Sequence, residues 1–361
     1  MPSFRFFAAV AVCLVAAAGS AQVTPASGFT PPDDTPSIKL GSTIFADWTY
    51  QDSPEVTDAD GNTINVSSFN VGRAYINVTG NLNHRLAFRI TPDIARESGN
   101  GSALSGSYTF RLKYAFGQFN LDDWTTKGSW IRFGLQQTPL VDYEEGIYRY
   151  RFQGPIFVDR EGFLSSADSG VSAHWSFPGN FGDVQAGFYN GDSYSHAEAN
   201  DQKAFMVRAA VRPFPLGGTW KGLRIAAFAD QDAYVSDAKR ERLVGQVTFE
   251  HPRFNAGFDY LTAKDQTSVK TPEVEGRGYS VWATPKLGAG WEILLRHDQL
   301  KPSRNTDQKR TRNIAGIAYW FPNLNKVAAA VLADYDALKQ DSYAPARPDD
   351  RRFGLKMLIN F

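Results

Sequence analysis

The chain is almost without cysteine. Its single one, Cys13, sits in an apolar stretch near the N-terminus, so the rest of the chain can form no disulfide, no cysteine-ligated zinc site and no thiol nucleophile. Histidine is also scarce: His84, His174, His196, His251 and His297 are scattered, with no His-x-x-x-His spacing that would hold a metal. There is no Gly-x-Ser-x-Gly elbow and no phosphate-binding glycine loop with its lysine. No cofactor and no metal are therefore expected. An excess of either charge is missing too, since 38 basic and 38 acidic residues cancel, which argues against nucleic acid as a partner. Beyond the N-terminal segment no run of about 18 residues is apolar throughout, so membrane-spanning helices are excluded. Alternating strands that cross a membrane would stay below any such hydropathy threshold.

What the chain does contain is alternation, most clearly at its end. From Arg352 to Phe361, Phe353, Leu355, Met357, Ile359 and Phe361 fall on one side of a strand. Arg352, Gly354, Lys356 and Asn360 fall on the other, and only Leu358 is out of phase. The segment has the length of a transmembrane β-strand, about 9 to 11 residues. A closing strand that ends on Phe361 resembles the terminal strand of bacterial outer-membrane proteins, and this resemblance implies recognition of that aromatic by the barrel-assembly machinery. The N-terminus fits export. Arg5 precedes an apolar core from Phe6 to Ala18, and Gly19-Ser20-Ala21 offers a cut before Gln22, so residues 1–21 read as a cleaved signal peptide. Residues 22–37 follow as a flexible lead, in which Pro25, Pro31, Pro32 and Pro36 forbid a helix or a central strand.

From Ile38 onward the period is two almost everywhere. Strands are expected over 38–50, 69–81, 85–93, 109–119, 130–137, 170–177, 184–189, 204–213, 223–230, 243–250, 254–264, 276–285, 291–300, 311–320, 326–335 and 352–361. The strand at 109–119 loses its phase after Tyr114, which points to a bulge. Tight turns such as Asn81-Leu82-Asn83, Phe177-Pro178-Gly179-Asn180 and Pro322-Asn323-Leu324-Asn325 alternate with long polar connections. Trp48, Tyr50, Trp175, Tyr260, Trp291, Trp320 and Tyr335 stand near strand ends, as interfacial girdles require. The expected fold is all-β: residues 38–361 form a transmembrane antiparallel β-barrel of about sixteen strands, closed because lipid leaves no partner for an open edge.

The longest interruption, residues 138–168, carries Tyr143, Tyr148, Tyr150, Phe152, Phe157 and Phe163 among charges. By counting order it is the third long loop and a candidate constriction, with Tyr143, Glu144, Glu145, Tyr148, Arg149 and Arg151 as its candidate pore residues. On the inward phase, Arg73, Arg89, Arg111, Lys113 and Arg132 come from four consecutive strands and form a basic ladder. Arg208, Arg212, Arg224, Arg277, Arg296, Arg312, Arg352 and Lys356 are further inward candidates, since a base facing mid-membrane lipid would cost about 2 to 4 kcal/mol. Acids of the loop facing the ladder would give a transverse field with little net selectivity, whereas Arg149 and Arg151 facing the lumen would favour anions.

The run Gly134-Leu135-Gln136-Gln137-Thr138-Pro139, the Tyr189-Asn190-Gly191 turn and the strand ending Arg212-Pro213 resemble the phosphate-selective porin O and P family over residues 38–361. The resemblance implies a homotrimeric porin in the outer membrane of a Gram-negative-type bacterium, surrounded by outer-membrane lipid and passing small anionic or neutral solutes. The loop contains no lysine, unlike the constriction of the family's anion-selective members, so the resemblance bears on the pore more than on phosphate. Two other classes remain open on the residues alone. A barrel hydrolase would need a serine and a histidine together, for which His174 with Ser172 and Ser176 is the candidate set. A non-conducting structural or adhesion barrel would need a plugged lumen, against which the inward glycines Gly41, Gly134, Gly316 and Gly354 suggest open space.

Overall fold

The computed structural model describes residues 34–97, 99, 101–198, 200–322 and 327–361. The segment expected to be a signal peptide, most of the proline-rich lead and the greater part of the Pro322–Asn325 turn lie outside the described residues. The strand β1 (Ser37–Ser53) is followed by a small hairpin of β2 (Val56–Thr57) and β3 (Thr63–Ile64). Then come β4 (Ser67–Asn81), β5 (Leu86–Arg96), β6 (Tyr108–Asn120), β7 (Trp130–Gln137), β8 (Ala167–Ser176), β9 (Gly182–Tyr189) and β10 (Ala204–Val211). The series ends with β11 (Leu223–Ala233), β12 (Lys239–His251), β13 (Phe254–Asp265), β14 (Val274–Gly288), β15 (Trp291–Lys301), β16 (Lys309–Trp320), β17 (Ala328–Asp341) and β18 (Asp350–Asn360).

Apart from the hairpin, all of these strands belong to one closed antiparallel sheet of 16 strands, in which β1 lies between β4 and β18. At the seam the Ser42 N–H donates to the Phe361 carbonyl at 2.9 Å, and the Phe361 N–H returns a bond to Ser42 at 3.0 Å. Closure therefore leaves no strand edge unpaired, which is the condition for a sheet in hydrocarbon. Each strand expected from the alternation is present, and most run a few residues further at one or both ends. The long interruption is shorter by two residues, because β8 begins at Ala167.

The phase change in β6 is a bulge. Thr91 pairs with Tyr114 and Pro92 with Leu112, which leaves Lys113 without an opposite residue. Pro92 has no N–H to give to a ladder, so the irregularity falls where one bond is missing anyway. As a result Arg111, Lys113 and Tyr114 all reach the interior.

The outer face follows the expected sorting. Phe69, Phe110 and Phe133 are 83%, 68% and 75% exposed on the outer wall. The inner face does not follow it throughout. Phe228, Val244, Leu261, Trp282, Leu294, Ile314, Leu332 and Leu358 point inward and are buried in one cluster. Leu358, the residue out of phase in the terminal strand, belongs to this inner patch. Trp320 also belongs inside, where its Nε1 donates to the Tyr150 hydroxyl at 3.1 Å, and not to a lipid-facing girdle. Arg277, expected inward, is exposed on the outer phase with Tyr279 and Val281 near the long-loop end of β14.

The inward glycines do not mark open space, because each is a place of close approach. A Cβ at Gly41 would lie 2.5 Å from the Phe361 carbonyl oxygen, one at Gly316 2.7 Å from that of Ala333, and one at Gly354 2.5 Å from Asp334 Oδ1. At Gly134 the contact is 2.4 Å to the Ala115 carbonyl, with φ at +123°. We predict that Gly134→Ala lowers the folded fraction after refolding into detergent, at a strain cost of about 1–3 kcal/mol. The faster mobility of the unheated barrel on a denaturing gel reports the fraction. Gly117→Ala, where a Cβ meets nothing within 4 Å, is the control and should fold as the parent does.

Candidate functional site

The segment between β7 and β8 folds into the barrel. It forms the helix α1 (Val141–Tyr148) and the short turn of helix α2 (Phe157–Arg160). Asp142 and Glu144 in the first turn of α1 suit its positive end. The helix stops at Arg149, which takes a left-handed conformation with φ 64° and donates its N–H to the Glu145 carbonyl. Its apolar side chains are then covered: Leu140, Val141, Ile147, Tyr148, Tyr150, Phe152, Ile156, Phe157 and Val158 are all buried and join the inner-wall cluster of β10 to β18. Removal of each of these aliphatic or Phe side chains from water contributes about 1.5–3 kcal/mol to docking.

Polar contacts hold the same segment to the same wall. Arg149 donates to both oxygens of Glu292 at 2.8 and 2.7 Å, and the Tyr150 hydroxyl bonds Glu292 at 3.0 Å. Gln153 donates to Asp334 at 3.0 Å, and Arg160 pairs with Asp336 at 3.1 Å. Wall arginines reach back to loop carbonyls: Arg208 to Pro139 at 2.8 Å, Arg296 to Pro155 at 2.8 Å and Arg242 to Phe163 at 3.2 Å. Glu144 faces the wall as well, in contact with Asp259, and its carboxyl is held well above the usual range by burial first and by that acidic neighbour second.

The opposite side of α1 faces the basic ladder. All five ladder residues are on the inner wall as expected, though each has a local partner. Asp93, fully buried, accepts from Arg73 at 2.9 Å and from Arg111 at 3.0 Å. Arg89 bonds Asn77 and Thr91 and lies over the Tyr114 ring at 4.3 Å. Arg132 bonds Gln118 and Gln137 and lies over the Trp130 ring at 3.8 Å. Lys113 donates to the Tyr75 hydroxyl at 3.2 Å, beneath the rings of Tyr75 and Tyr114. Across from them, Asp142 interacts electrostatically with Arg89, Arg132 and Lys113, and Glu145 with Arg151 and Lys113. Arg151 pairs with Glu145 at 2.6 Å and lies 3.8 Å from Asp159. The seam between loop and ladder thus brings together six bases (Arg73, Arg89, Arg111, Lys113, Arg132, Arg151) and four acids (Asp93, Asp142, Glu145, Asp159).

The expected constriction residues therefore divide. Glu145 and Arg151 face the ladder, and Tyr143 borders a cavity of about 530 Å³ that opens toward the short turns, with Arg132, Arg208, Arg212 and Arg224 in its lining. Glu144, Tyr148 and Arg149 face the wall. Tyr148 and Tyr150 are fully buried, so their rings anchor the loop and do not set the width of a passage. Arg296 is likewise taken up, by Asp298 at 2.7 Å and by Pro155. Alternation could not reveal this, because it gives the face of a strand and not what covers that face. Two residues missed by sequence reasoning complete the arrangement: Glu292, the acceptor for Arg149 and Tyr150, and Tyr194 from the loop between β9 and β10, whose ring lies 5.0 Å from the Arg111 guanidinium.

His174 does not meet a serine. Its ring stacks on Trp130 with centroids 5.2 Å apart, Nδ1 faces the Gly128 carbonyl at 3.0 Å and Nε2 faces Asp183 at 3.1 Å. Ser172 donates to Gln136 at 2.6 Å. The arrangement for a serine nucleophile is not formed by these residues.

Fold and site together define a membrane-type barrel with a docked internal loop. Solved structures share the barrel fold. In-vitro folded OmpT, an outer membrane protein of Vibrio cholerae in trimer form, is 15% identical, with 91% of this chain and 100% of that chain covered at a TM-score of 0.59. The outer membrane channel DcaP of Acinetobacter baumannii is 14% identical, with 93% and 100% covered at a TM-score of 0.61. An anion-selective porin from Comamonas acidovorans is 13% identical, with 90% and 100% covered at a TM-score of 0.60. At these identities the likeness establishes the fold. No protein-family model matches the chain, and no curated protein matches it, so the phosphate-selective family is not among the findings.

Loss of the Glu292 carboxylate leaves the Arg149 guanidinium buried without its partner, which costs about 3–5 kcal/mol in comparable cases. We predict that Glu292→Ala loosens the loop without opening the barrel. Trypsin should then cut the folded protein at Arg149 and Arg151, positions resistant in the parent, while the folded band on an unheated gel persists.

Proposed function

We propose that this protein is an outer-membrane porin that lets small hydrophilic solutes and ions diffuse passively, with a modest preference for anions. The observation that carries the reading is the charged seam between α1 and the ladder inside a closed barrel. A helix that covers the apolar wall with one face and turns Asp142 and Glu145 toward Arg89, Lys113 and Arg132 narrows the lumen and places a transverse field across it. Excess base in such a ring favours anions, and two uncompensated charges give a weak preference. The low identity to anion-selective porins and the loop's lack of lysine do not support a specific phosphate site. Insertion through the strand ending at Phe361, export by a cleaved leader and a homotrimeric assembly belong to the same proposal, supported by the terminal aromatic, the N-terminal residues and the fold shared with a trimeric outer membrane protein.

Planar-bilayer recordings in asymmetric chloride test this directly. The parent should give discrete steps and a reversal potential slightly on the anion side. The triple change Arg89→Glu, Arg111→Glu and Arg132→Glu should move it to the cation side, and an unchanged value would remove these residues from the conduction path.

The field should also respond to pH. Burial pushes the Glu145 carboxyl up to about 7, with Arg151 drawing it back down. Below that value the seam loses a negative charge while its bases keep theirs, so the sign of the effect is toward anions as pH falls. Between pH 8 and pH 6 the reversal potential should shift in that direction, and Glu145→Gln should flatten the response.

A further inference from the structure

The loop between β9 and β10 was expected to be an ordinary polar connection, yet it contributes a side chain to the seam. Its first turn is built to bend inward. Gly191 has φ +101°, where a Cβ would lie 2.6 Å from the Asp232 carboxylate, and Ser193 has φ 69°. The Gly191 N–H donates to Asp168 at 2.7 Å, the Gly191 carbonyl accepts from Arg240 at 2.7 Å, and the Tyr194 N–H donates to the Ala167 carbonyl at 3.1 Å. These bonds fix the backbone to the starts of β8 and β12. The Tyr194 ring is thereby held against Tyr114, Phe116 and Ala167.

In that position it lies over Lys113 and beside Arg111, whose side chain keeps 34% of its surface exposed. The Arg111 guanidinium lies 5.0 Å and the Lys113 ammonium 6.0 Å from the ring centroid, within the range at which a ring face attracts a cation. Lys113 also lies 4.7 Å from Tyr75 and 5.4 Å from Tyr114, so three aromatic rings surround one ammonium, and the residue as a whole is 4% exposed. Tyr194 further interacts electrostatically with Arg73 on the wall and with Arg151 on the docked loop. One side chain therefore lies against the wall bases and within electrostatic reach of Arg151 on the docked loop, from the end where the long loops lie.

We propose that Tyr194 is a gate on the long-loop side of the passage, screening Arg111 and Lys113 from solutes and setting both the size and the charge preference of what enters. This rests on the porin reading. Its removal should widen the approach and uncover two cations at once, so conductance and anion preference should rise together.

The test is single-channel recording of the full chain with Tyr194→Ala, Tyr194→Phe and His196→Ala, each first checked as a folded barrel on an unheated gel. We expect Tyr194→Ala to raise conductance roughly twofold and to shift the reversal potential further to the anion side. Tyr194→Phe keeps the ring and should match the parent in both respects. His196→Ala, at the exposed tip of the same loop, should do so too. A silent parent beside a conducting Tyr194→Ala would show the gate closed and would also support the inference. A conducting parent with an unaltered Tyr194→Ala overturns the gate while leaving the porin reading in place. Equal rises in Tyr194→Ala and His196→Ala would assign the effect to loop loosening and overturn it as well. Silence in all four proteins would overturn both readings.

Discussion

The two faces of the barrel wall meet different solvents, and that difference organises the interior. Outside, Phe133 or Leu355 gains nothing by clustering, because lipid is as apolar as the side chain itself. Inside, exposure of Trp282, Leu261 or Ile314 to water would be unfavourable, and among the described residues it is the segment between β7 and β8 that packs over them. Its docking is therefore driven by ordinary hydrophobic burial in the middle of a membrane protein. Everything polar in the lumen is arranged around that fact.

Docking separates the interior charges into two populations. Arg149, Arg160, Arg208, Arg242 and Arg296 bond loop or wall acceptors on the covered side, where they satisfy carbonyls and carboxylates that burial would otherwise leave unpaired. Arg73, Arg89, Arg111, Lys113 and Arg132 stay on the uncovered side, softened by Asp93 and by the rings of Tyr75, Tyr114, Trp130 and Phe116. A base stacked on an aromatic ring keeps its charge while losing reach, so this wall presents a field more than a set of binding arms.

Much of the architecture could be read from residue order, because a period of two reports directly on which side of a sheet a residue lies. A bulge near Tyr114, which the structure places at Lys113, the closing strand and the inward phase of the ladder all came from that rule. What could not be read was the division of the inner face. Leu358 showed as a single break in an otherwise regular strand, and its companions Leu332, Ile314 and Leu294 lie inward in three other strands. Their shared meaning depends on neighbours brought side by side by pairing, which no single strand displays. The aromatics between 138 and 168 announced that they would pack on something, but helical docking turned Tyr148 and Tyr150 away from the passage. Tyr194 gave only the weak signal of a glycine turn two residues past a strand.

Most of the greasy inner patch is contributed by strands later in the chain than the segment that covers it, with Phe45 and Tyr75 the earlier members. Residues 138–166 precede β10 to β18, the last of which supplies Leu358. Until the final strand is in place, the surface on which the internal segment docks lacks Leu358. The same last strand thus both closes the sheet against β1 and completes the surface on which the internal segment rests.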